Sequence, residues 1–231
     1  MTVRVLSAGA AKGLVGDTAD AFTAATGETI DGHFSAVGAI RERFESGAPC
    51  DVLILTAKQL AELEIAGLLR TGSVRPIGTV RTAVAVLEGQ PVPDISTSAA
   101  FAATMRAASA IFMPDPDKST AGIHVRGVLQ ALGLADEMLP KLRAFPNGET
   151  AMRNLAEEAA VGAIGTTQTT EILYTKGLTL VGPLPPEHDL STVYAAGISA
   201  AAQNIEAAAA LIERLTGSET ANLRAKSGFE C

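Results

Sequence analysis

The stretch Gly32–Ala57, GHFSAVGAIRERFESGAPCDVLILTA, decides the fold of this 231-residue chain. It begins as a strand, reaches the small-residue turn Ser35-Ala36-Val37-Gly38, and continues as an amphipathic helix from about Ala39. The turn Gly47-Ala48-Pro49 then separates this helix from a buried apolar strand at Val52–Leu55. Because strands that alternate with helices in this way form parallel sheets, the sequence predicts an α/β fold.

The turn at residues 35–38 also predicts a place to hold an anion. A helix N-terminus has backbone N–H groups without helical acceptors and carries the positive end of the helix dipole. The same design occurs at the start of the chain, where the strand Val3–Leu6 leads into Ser7-Ala8-Gly9-Ala10-Ala11-Lys12 and a helix. We therefore expect both turns to bind a small anion at the carboxyl edge of the sheet. The candidate ligand-binding residues in this part of the chain are Gly9, Ala10, Ala11, Lys12, Ala36, Val37 and Gly38.

The remaining chain continues the α/β pattern and predicts two lobes. A long apolar strand at Gly78–Leu87 and a strand at Thr192–Ala200 are placed to carry the chain from one lobe to the other. The predicted lobes are residues 1–80 with 195–231, and residues 81–194. In the second lobe a strand is expected at Ala160–Gly165, followed by a polar segment.

Two polar segments of the second lobe are candidate binding elements. Ser119-Thr120-Ala121-Gly122 opens a helix, and Thr166-Thr167-Gln168-Thr169-Thr170 follows the predicted strand. A capping or turn role alone explains a serine at a helix start and one or two of the threonines. It does not explain five hydrogen-bonding residues in a row, so we expect Ser119, Thr120, Thr166 and Thr167 to contribute to ligand binding.

Lys12 and His124 are the candidates for catalysis, should the protein be an enzyme, and no general base is assigned. Lys12 lies at a helix N-terminus, where its charge opposes the helix dipole. The alternative is a solvated surface lysine. His124 lies in the first turn of its helix, and the alternative is a surface or partly buried structural histidine. No metal-ligand spacing, phosphate-binding loop or nucleophile motif is present, so neither a metal nor a cofactor is expected.

Composition excludes several classes of partner. The net charge of −7, the aromatic content of 4% and the absence of tryptophan argue against nucleic acid. No run of eighteen apolar residues predicts membrane insertion. Cys50 and Cys231 leave a disulfide open, although two free thiols, with Cys50 a small core residue, are favoured. The chain enters its first strand without a signal peptide, which predicts a cytoplasmic protein as written, or a periplasmic one if a leader peptide has been removed.

With these residues in view, nearly the full length of the chain resembles the molybdate-binding protein family (ModA-like). The resemblance implies a two-lobe type II periplasmic-binding-protein fold with two mixed, mostly parallel sheets and the ligand in a hinge cleft. The segment Glu45-Ser46-Gly47-Ala48-Pro49-Cys50-Asp51-Val52 is its most specific motif. The other matching segments are Phe34 with Gly38-Ala39-Ile40, Pro114-Asp115-Pro116 through Ala121-Gly122, Leu129 with Leu132-Gly133-Leu134, Ala163-Ile164-Gly165, and Gly228-Phe229.

This chain departs from that family where the ligand is held. The family binds its oxyanion with serine hydroxyls in the first and second turns and with a tyrosine after a late strand. The corresponding positions here are Ala10, the pair Ala36-Val37, and Thr166. A tetrahedral oxyanion needs many donors to replace its water shell, and missing donors carry a desolvation penalty. Apolar walls, backbone amides and Lys12 suit an organic di- or tricarboxylate better than molybdate.

Three functions are therefore carried forward. The first is a ModA-like solute-binding protein that closes on a small anion. We expect this anion to be an organic di- or tricarboxylate rather than molybdate, and the partner to be an ABC permease if the protein is exported. The second is an isomerase of an unsaturated polycarboxylate, similar to aconitate isomerase, which acts by proton transfer. The third is the receptor of a molybdate or tungstate ABC transporter.

Overall fold

A computed structural model describes residues 2–230, and Cys231, one half of the disulfide considered above, lies outside the described residues. The strands are β1 (Thr2–Ala8), β2 (Thr29–Ser35), β3 (Val52–Thr56), β4 (Arg75–Leu87), β5 (Ile111–Pro114), β6 (Leu142–Phe145), β7 (Ile164–Gln168), β8 (Leu178–Pro183) and β9 (Ser191–Ile198). The helices are α1 (Lys12–Thr26), α2 (Val37–Glu45), α3 (Ala57–Ile65), α4 (Ser98–Ala107), α5 (Thr120–Ala131), α6 (Ala135–Met138), α7 (Gly148–Glu158), α8 (Thr169–Tyr174), α9 (Ile205–Thr216) and α10 (Ala221–Lys226).

The chain divides into two compact units. The first unit contains the chain up to Val80 together with the chain from Thr192 onward, and the second contains Arg81–Ser191. Both boundaries fall inside strands, the first within β4 and the second within β9. These two strands therefore carry the backbone from one unit into the other.

The sheet of the first unit has the strand order β2-β1-β3-β9. Strand β1 is parallel to β2 and β3, whereas β9 is antiparallel to β3. Large apolar side chains with no more than 1% of their surface exposed fill the core, among them Phe22, Ile40, Leu53 and Leu211. They come from helices and strands alike, as expected where apolar helix stripes cover a sheet.

The Gly-Ala-Pro-Cys-Asp motif is a structural joint of the first unit. The Asp51 carboxylate is 2% exposed and accepts hydrogen bonds from the backbone N–H groups of Arg4 (2.9 Å), Gln203 (2.8 Å) and Asn204 (3.3 Å). It thereby links β1 and β3 to the start of α9. Cys50 is a free, buried core residue, and desolvation raises the pKa of its thiol to about 12, which leaves it unreactive.

The sheet of the second unit has the strand order β4-β7-β5-β6, with β8 paired to β4. Strand β5 is parallel to β6 and β7, whereas β4 is antiparallel to β7 and β8. One face packs against α4 and α5 through residues such as Val84, Val125 and Ile164. The other face packs against α7 and α8 through residues such as Met152 and Ile172.

Strand β7 lies later in the sequence than predicted. It spans Ile164–Gln168 rather than Ala160–Gly165, because α7 ends at Ala159 in a left-handed conformation and Gly162 (φ 75°) forms a turn before the strand. Thr166 and Thr167 are therefore strand residues, and the polar segment continues directly into α8. Threonine is β-branched and suits a strand as well as a turn. The short elements β6, α6 and α8 were also not predicted.

Candidate functional site

The structure brings the two predicted turns of the first unit next to each other. Strand β1 ends at Ala8 and is followed by a single 3-10 turn, Gly9–Ala11, from which α1 begins. Strand β2 ends at Ser35, and α2 begins two residues later at Val37. The parallel register pairs Ala8 with Ser35, so both helices start at the same edge of the sheet.

These turns present backbone N–H groups and small apolar side chains. Residues Gly9, Ala10, Ala11, Ala36 and Val37 are buried, while Lys12 and Gly38 are half-buried. The Lys12 N–H at the start of α1 donates to the Gly9 carbonyl oxygen of the preceding 3-10 turn, so the N–H groups without a helical acceptor are those of that turn and of the first turn of α2. The N-cap residues, Ala11 and Ala36, have no side-chain oxygen that could satisfy these groups. The edge therefore suits a ligand that brings its own acceptors.

The capping pattern separates these helices from the others. Seven helices in residues 2–230 have eight or more residues. Four of them have an N-cap side chain that accepts a first-turn N–H, and these caps are Thr56, Thr97, Asn147 and Asn204. The other three are α1, α2 and α5, and none of them has a side-chain cap within the described residues. All three begin at turns that the sequence predicts to bind an anion.

In the second unit the two predicted threonines face opposite sides of the sheet. Both Thr166 and Thr167 are fully buried in β7, where successive side chains alternate between faces. The Thr167 hydroxyl donates to Glu171 Oε2 (2.5 Å) on the α7 side. Thr166 shares the face of Ile164, which packs against Val125 of α5. Among the residues that the structure describes, Thr166 Oγ1 has no hydrogen-bond partner.

The side chain of Glu171, a residue of α8, lies at the N-terminus of α7. Its buried carboxylate accepts hydrogen bonds from the Thr167 hydroxyl and from the backbone N–H groups of Gln168 and Glu149. Desolvation outweighs these bonds and raises the pKa of Glu171 to about 7. A Cβ atom on Gly148 would lie 2.0 Å from both Glu171 Oε2 and Thr167 Oγ1, so glycine is required for this close approach.

The local sequence contains only part of the signal for this arrangement. Asn147-Gly148-Glu149 is a typical helix start, and the Asn147 side chain accepts from the N–H of Thr150 (2.8 Å). Nothing in the local sequence indicates that a glutamate from α8 fills the same N-terminus. Residues 147–149 therefore belong with Ser119, Thr120, Thr166 and Thr167 among the elements at this edge.

The two catalytic candidates lie in different settings. His124 Nε2 is 2.7 Å from the carbonyl oxygen of His188, which ties α5 to the turn Pro186–His188. A ring nitrogen beside a carbonyl oxygen must donate, so proton transfer by His124 would have to use Nδ1. Lys12 is half-buried at the start of α1. Their catalytic roles stay predictions.

A cavity elsewhere in the second unit lacks the chemistry for an anion. It has a volume of about 600 Å³ and is lined mainly by α4 and by residues 161–164, at the start of β7. The walls are mostly alanine, proline and valine. Asp94, the only titratable residue in its lining within the described chain, already accepts the N–H of Ser96 (2.8 Å).

Two further features are absent from residues 2–230. No cluster of three or more histidine, cysteine, aspartate or glutamate side chains is placed to hold a metal ion. Nor does any helix in that range have the length and apolarity needed to cross a membrane.

The fold defines a class of protein, and this class agrees with the resemblance described above. The structure is similar to the periplasmic molybdate-binding protein of Azotobacter vinelandii, with a TM-score of 0.80, 17% identity and 99% of each chain covered. It is also similar to PEB3 bound to L-phospholactate, with a TM-score of 0.70, 16% identity and 99% of each chain covered. The predicted fold class, that of type II periplasmic binding proteins, is confirmed.

The chain belongs to the family of bacterial extracellular solute-binding proteins, whose family model matches residues 3–230. It is also similar to an aconitate isomerase from a Pseudomonas species, with 29% identity over 238 residues that cover 99% of this chain and 87% of the relative. The predicted class of solute-binding protein is thereby confirmed at the level of the family.

Proposed function

We propose that this protein binds a small organic di- or tricarboxylate rather than molybdate. The observation that carries the proposal is the set of turns before α1 and α2, which offer N–H groups without side-chain caps beside alanine and valine. Carboxylate oxygens accept from such N–H groups, and the carbon skeleton between the carboxylates favours apolar contact with Ala10, Ala36 and Val37. Lys12 supplies a positive charge at the same edge.

One relative supports an organic anion over an inorganic one. The Pseudomonas relative is named for an isomerase of aconitate, an unsaturated tricarboxylate. Positions 10 and 36 offer no serine hydroxyls to a tetrahedral oxyanion such as molybdate. Each oxyanion oxygen without a hydrogen-bond donor would carry a desolvation cost. If the protein is exported, its partner would be an ABC permease, and if it is cytoplasmic, it would sense or carry the solute.

Thermal unfolding with a panel of anions tests this proposal. The panel is cis-aconitate, trans-aconitate, citrate, molybdate, tungstate and sulfate. A carboxylate present at about 100 times its Kd adds about 2.7 kcal/mol of stability, which for a chain of this size raises Tm by roughly 5–10 °C. A shift of that size with molybdate or tungstate and none with any carboxylate would contradict the proposal.

A lysine pair provides a matched control for the charge at this edge. Lys12→Gln removes the cation at the start of the uncapped helix α1, and we expect it to weaken carboxylate binding about tenfold, or about 1.4 kcal/mol. Lys58→Gln removes an exposed lysine from the first turn of α3, whose N-terminus is capped by Thr56. Equal affinities of the two variants in isothermal titration calorimetry would remove Lys12 from the binding residues.

A second candidate function is isomerisation of an unsaturated polycarboxylate. The similarity of almost the whole chain to an aconitate isomerase favours it. Such a reaction needs a base that removes a proton beside a carboxylate and donors that stabilise the resulting anion. Lys12 and His124 Nδ1 are the candidate bases. Incubation with cis- or trans-aconitate in deuterated water tests it, since an isomerase must interconvert the isomers or exchange deuterium into them; the absence of both would exclude this reaction.

A further inference from the structure

Strand β2 is an exposed edge of the sheet in the first unit. Within residues 2–230 it pairs only with β1, along its whole length from Thr29 to Ser35. Its other side therefore presents the N–H and C=O groups of alternate residues, which no strand of the described chain pairs. Asp31, Gly32 and His33, at the middle of this edge, are exposed. An edge of this kind can add a further strand.

Two other edge strands of the described chain have features that usually prevent such pairing. Strand β6 has only four residues and includes Arg143, which forms an ion pair with Glu158. Strand β8 pairs with β4 in an irregular register and ends at Pro183, which has no N–H group. Strand β2, by contrast, has seven residues, no proline, no lysine and a regular register with β1. A partner strand would account for this difference.

The sequence of β2 is complementary to itself in one antiparallel register. Directly opposite side chains of two antiparallel strands lie on the same face and contact each other. When Gly32 lies opposite the Gly32 of a second copy, each remaining pair joins side chains of matching chemistry. These pairs are Asp31 with His33, Ile30 with Phe34, and Thr29 with Ser35. Each pair occurs twice because the arrangement has two-fold symmetry.

The neighbouring antiparallel registers lack this match. Only alternate residues of an edge strand direct their N–H and C=O groups outwards, so the nearest alternatives are centred on Asp31 or on His33. The first would place two carboxylates opposite each other, and the second two imidazoles. In the register centred on Gly32, the Asp31 carboxylate instead accepts a hydrogen bond from an imidazole N–H of His33 in the other copy. The charges of the strand therefore select this register.

The middle of β2 also suits the close approach of another backbone. Gly32 has no side chain, and the ring of Phe34 lies over it, so that a Cβ atom on Gly32 would be 2.5 Å from Phe34 Cε2. Glycine inside a strand often marks a place where another backbone comes near. Ile30 and Phe34 pack against the core of the first unit but are only half-buried. Pairing would cover part of their remaining apolar surface.

We infer that two copies of this chain associate through β2, antiparallel and centred on Gly32, to form a two-fold symmetric dimer. The partner is a second copy because the complementary charges and apolar side chains both belong to β2 itself. The dimer extends the sheet of the first unit by the strands of the second copy. Contact through one strand from each copy is small, so the dimer is a weak one that dissociates on dilution.

Exchange of the two charged side chains tests this pairing. His33→Asp places a carboxylate opposite Asp31 of the other copy at two symmetric positions, and we expect it to weaken dimerisation about tenfold in sedimentation velocity. The double variant Asp31→His/His33→Asp restores both pairs in exchanged order, so its dimer Kd should lie within about threefold of the wild-type value. Gln130→Glu is the control, because it adds the same charge at an exposed position of α5 in the second unit. Its dimer Kd should equal that of the wild type.

Thermal unfolding of the dilute, monomeric variants separates association from folding. Each Tm should stay within about 3 °C of the wild type, because the changed side chains are exposed. A wild type that remains monomeric up to about 1 mM overturns the inference, and so does a dimer whose Kd is the same in His33→Asp. A double variant that folds but does not recover dimerisation overturns the antiparallel register centred on Gly32.

Discussion

Helices α5 and α7 begin at the same edge of one sheet, yet their N-termini differ. Helix α7 has a side-chain cap from Asn147 and holds the carboxylate of Glu171. Helix α5 has neither a side-chain cap nor such a carboxylate among the described residues. The strands that precede the two helices, β5 and β6, are nevertheless paired and parallel. One N-terminus is filled by a side chain of the protein itself, and the other has no side-chain cap within residues 2–230.

The N-terminus of α7 shows which groups this acidic chain places around a buried carboxyl group, although desolvation still raises the pKa of that group to about 7. The net charge is −7, so long-range attraction cannot supply the affinity. At α7 a carboxylate is held by a hydroxyl and backbone N–H groups, without a salt bridge to a cation among the described residues. An anion at another helix N-terminus of this chain would depend on the same local dipoles and hydrogen bonds.

The largest effect is expected where the filled N-terminus is disrupted. Gly148→Ala places a Cβ atom against Glu171 and Thr167, and we expect the free energy of unfolding to fall by about 3 kcal/mol or more. Gly127→Ala is the control, because Gly127 is exposed in α5 and a Cβ there meets no atom within 4 Å. That variant should gain up to about 1 kcal/mol. Urea unfolding measures both, and equal effects would contradict the close packing at Gly148.

Titration of Glu171 should give the next largest effect. Its pKa in the folded state, about 7, lies above the ordinary value of 4.5, so the folded state binds the proton more tightly. The contribution of Glu171 to the free energy of unfolding is therefore fully present below about pH 4.5. As the pH rises through 7, this contribution is lost, which lowers the stability by about 2–3 kcal/mol. Glu171→Gln should lack this loss, whereas Glu157→Gln, which changes an exposed glutamate of α7, should keep it. Urea unfolding at pH 5 and pH 8 measures this loss. An equal change in the free energy of unfolding for the wild type and Glu171→Gln would show that Glu171 does not cause it.

Removal of the N-cap side chains of α5 and α7 should give the smallest effect on the free energy of unfolding. Asn147→Ala removes a side chain that accepts a first-turn N–H, and we expect a loss of about 1 kcal/mol in the free energy of unfolding. Ser119→Ala removes a side chain with no cap bond in the described chain, so its cost should stay below about 0.5 kcal/mol. A loss at Ser119 as large as at Asn147 would mean that α5 is capped after all.

The sequence predicts the first-unit edge well because the signal there is local. Small residues at positions 8–11 and 35–38 follow strands directly, and the strand-turn-helix pattern places both turns at a carboxyl edge. The motif that ends in Asp51 is also recognisable in the sequence. The role of the Asp51 carboxylate depends on tertiary structure, because it accepts hydrogen bonds from N–H groups some 150 residues away.

The second-unit edge is harder to predict because the partners of its side chains depend on how strands and helices pair in the folded structure. Thr166 and Thr167 are adjacent in sequence, but alternation in β7 sends one towards α5 and the other to Glu171. Thr82 lies in an apolar strand, and only the register of this strand with β7 places it on the same face as Thr166. No local pattern distinguishes a threonine that has a partner from one that lacks it.

Backbone amide shifts in two-dimensional NMR follow the N-termini of α5 and α7 in one experiment. On titration of the wild type with trans-aconitate, we expect large, saturable shifts for the amides of Thr120 and Ala121 at the start of α5. The amides of Gly148 and Glu149, where the Glu171 side chain already lies at the N-terminus of α7, should shift much less. Saturable shifts of the α7 amides with unchanged α5 amides would show that the solute does not bind at the start of α5.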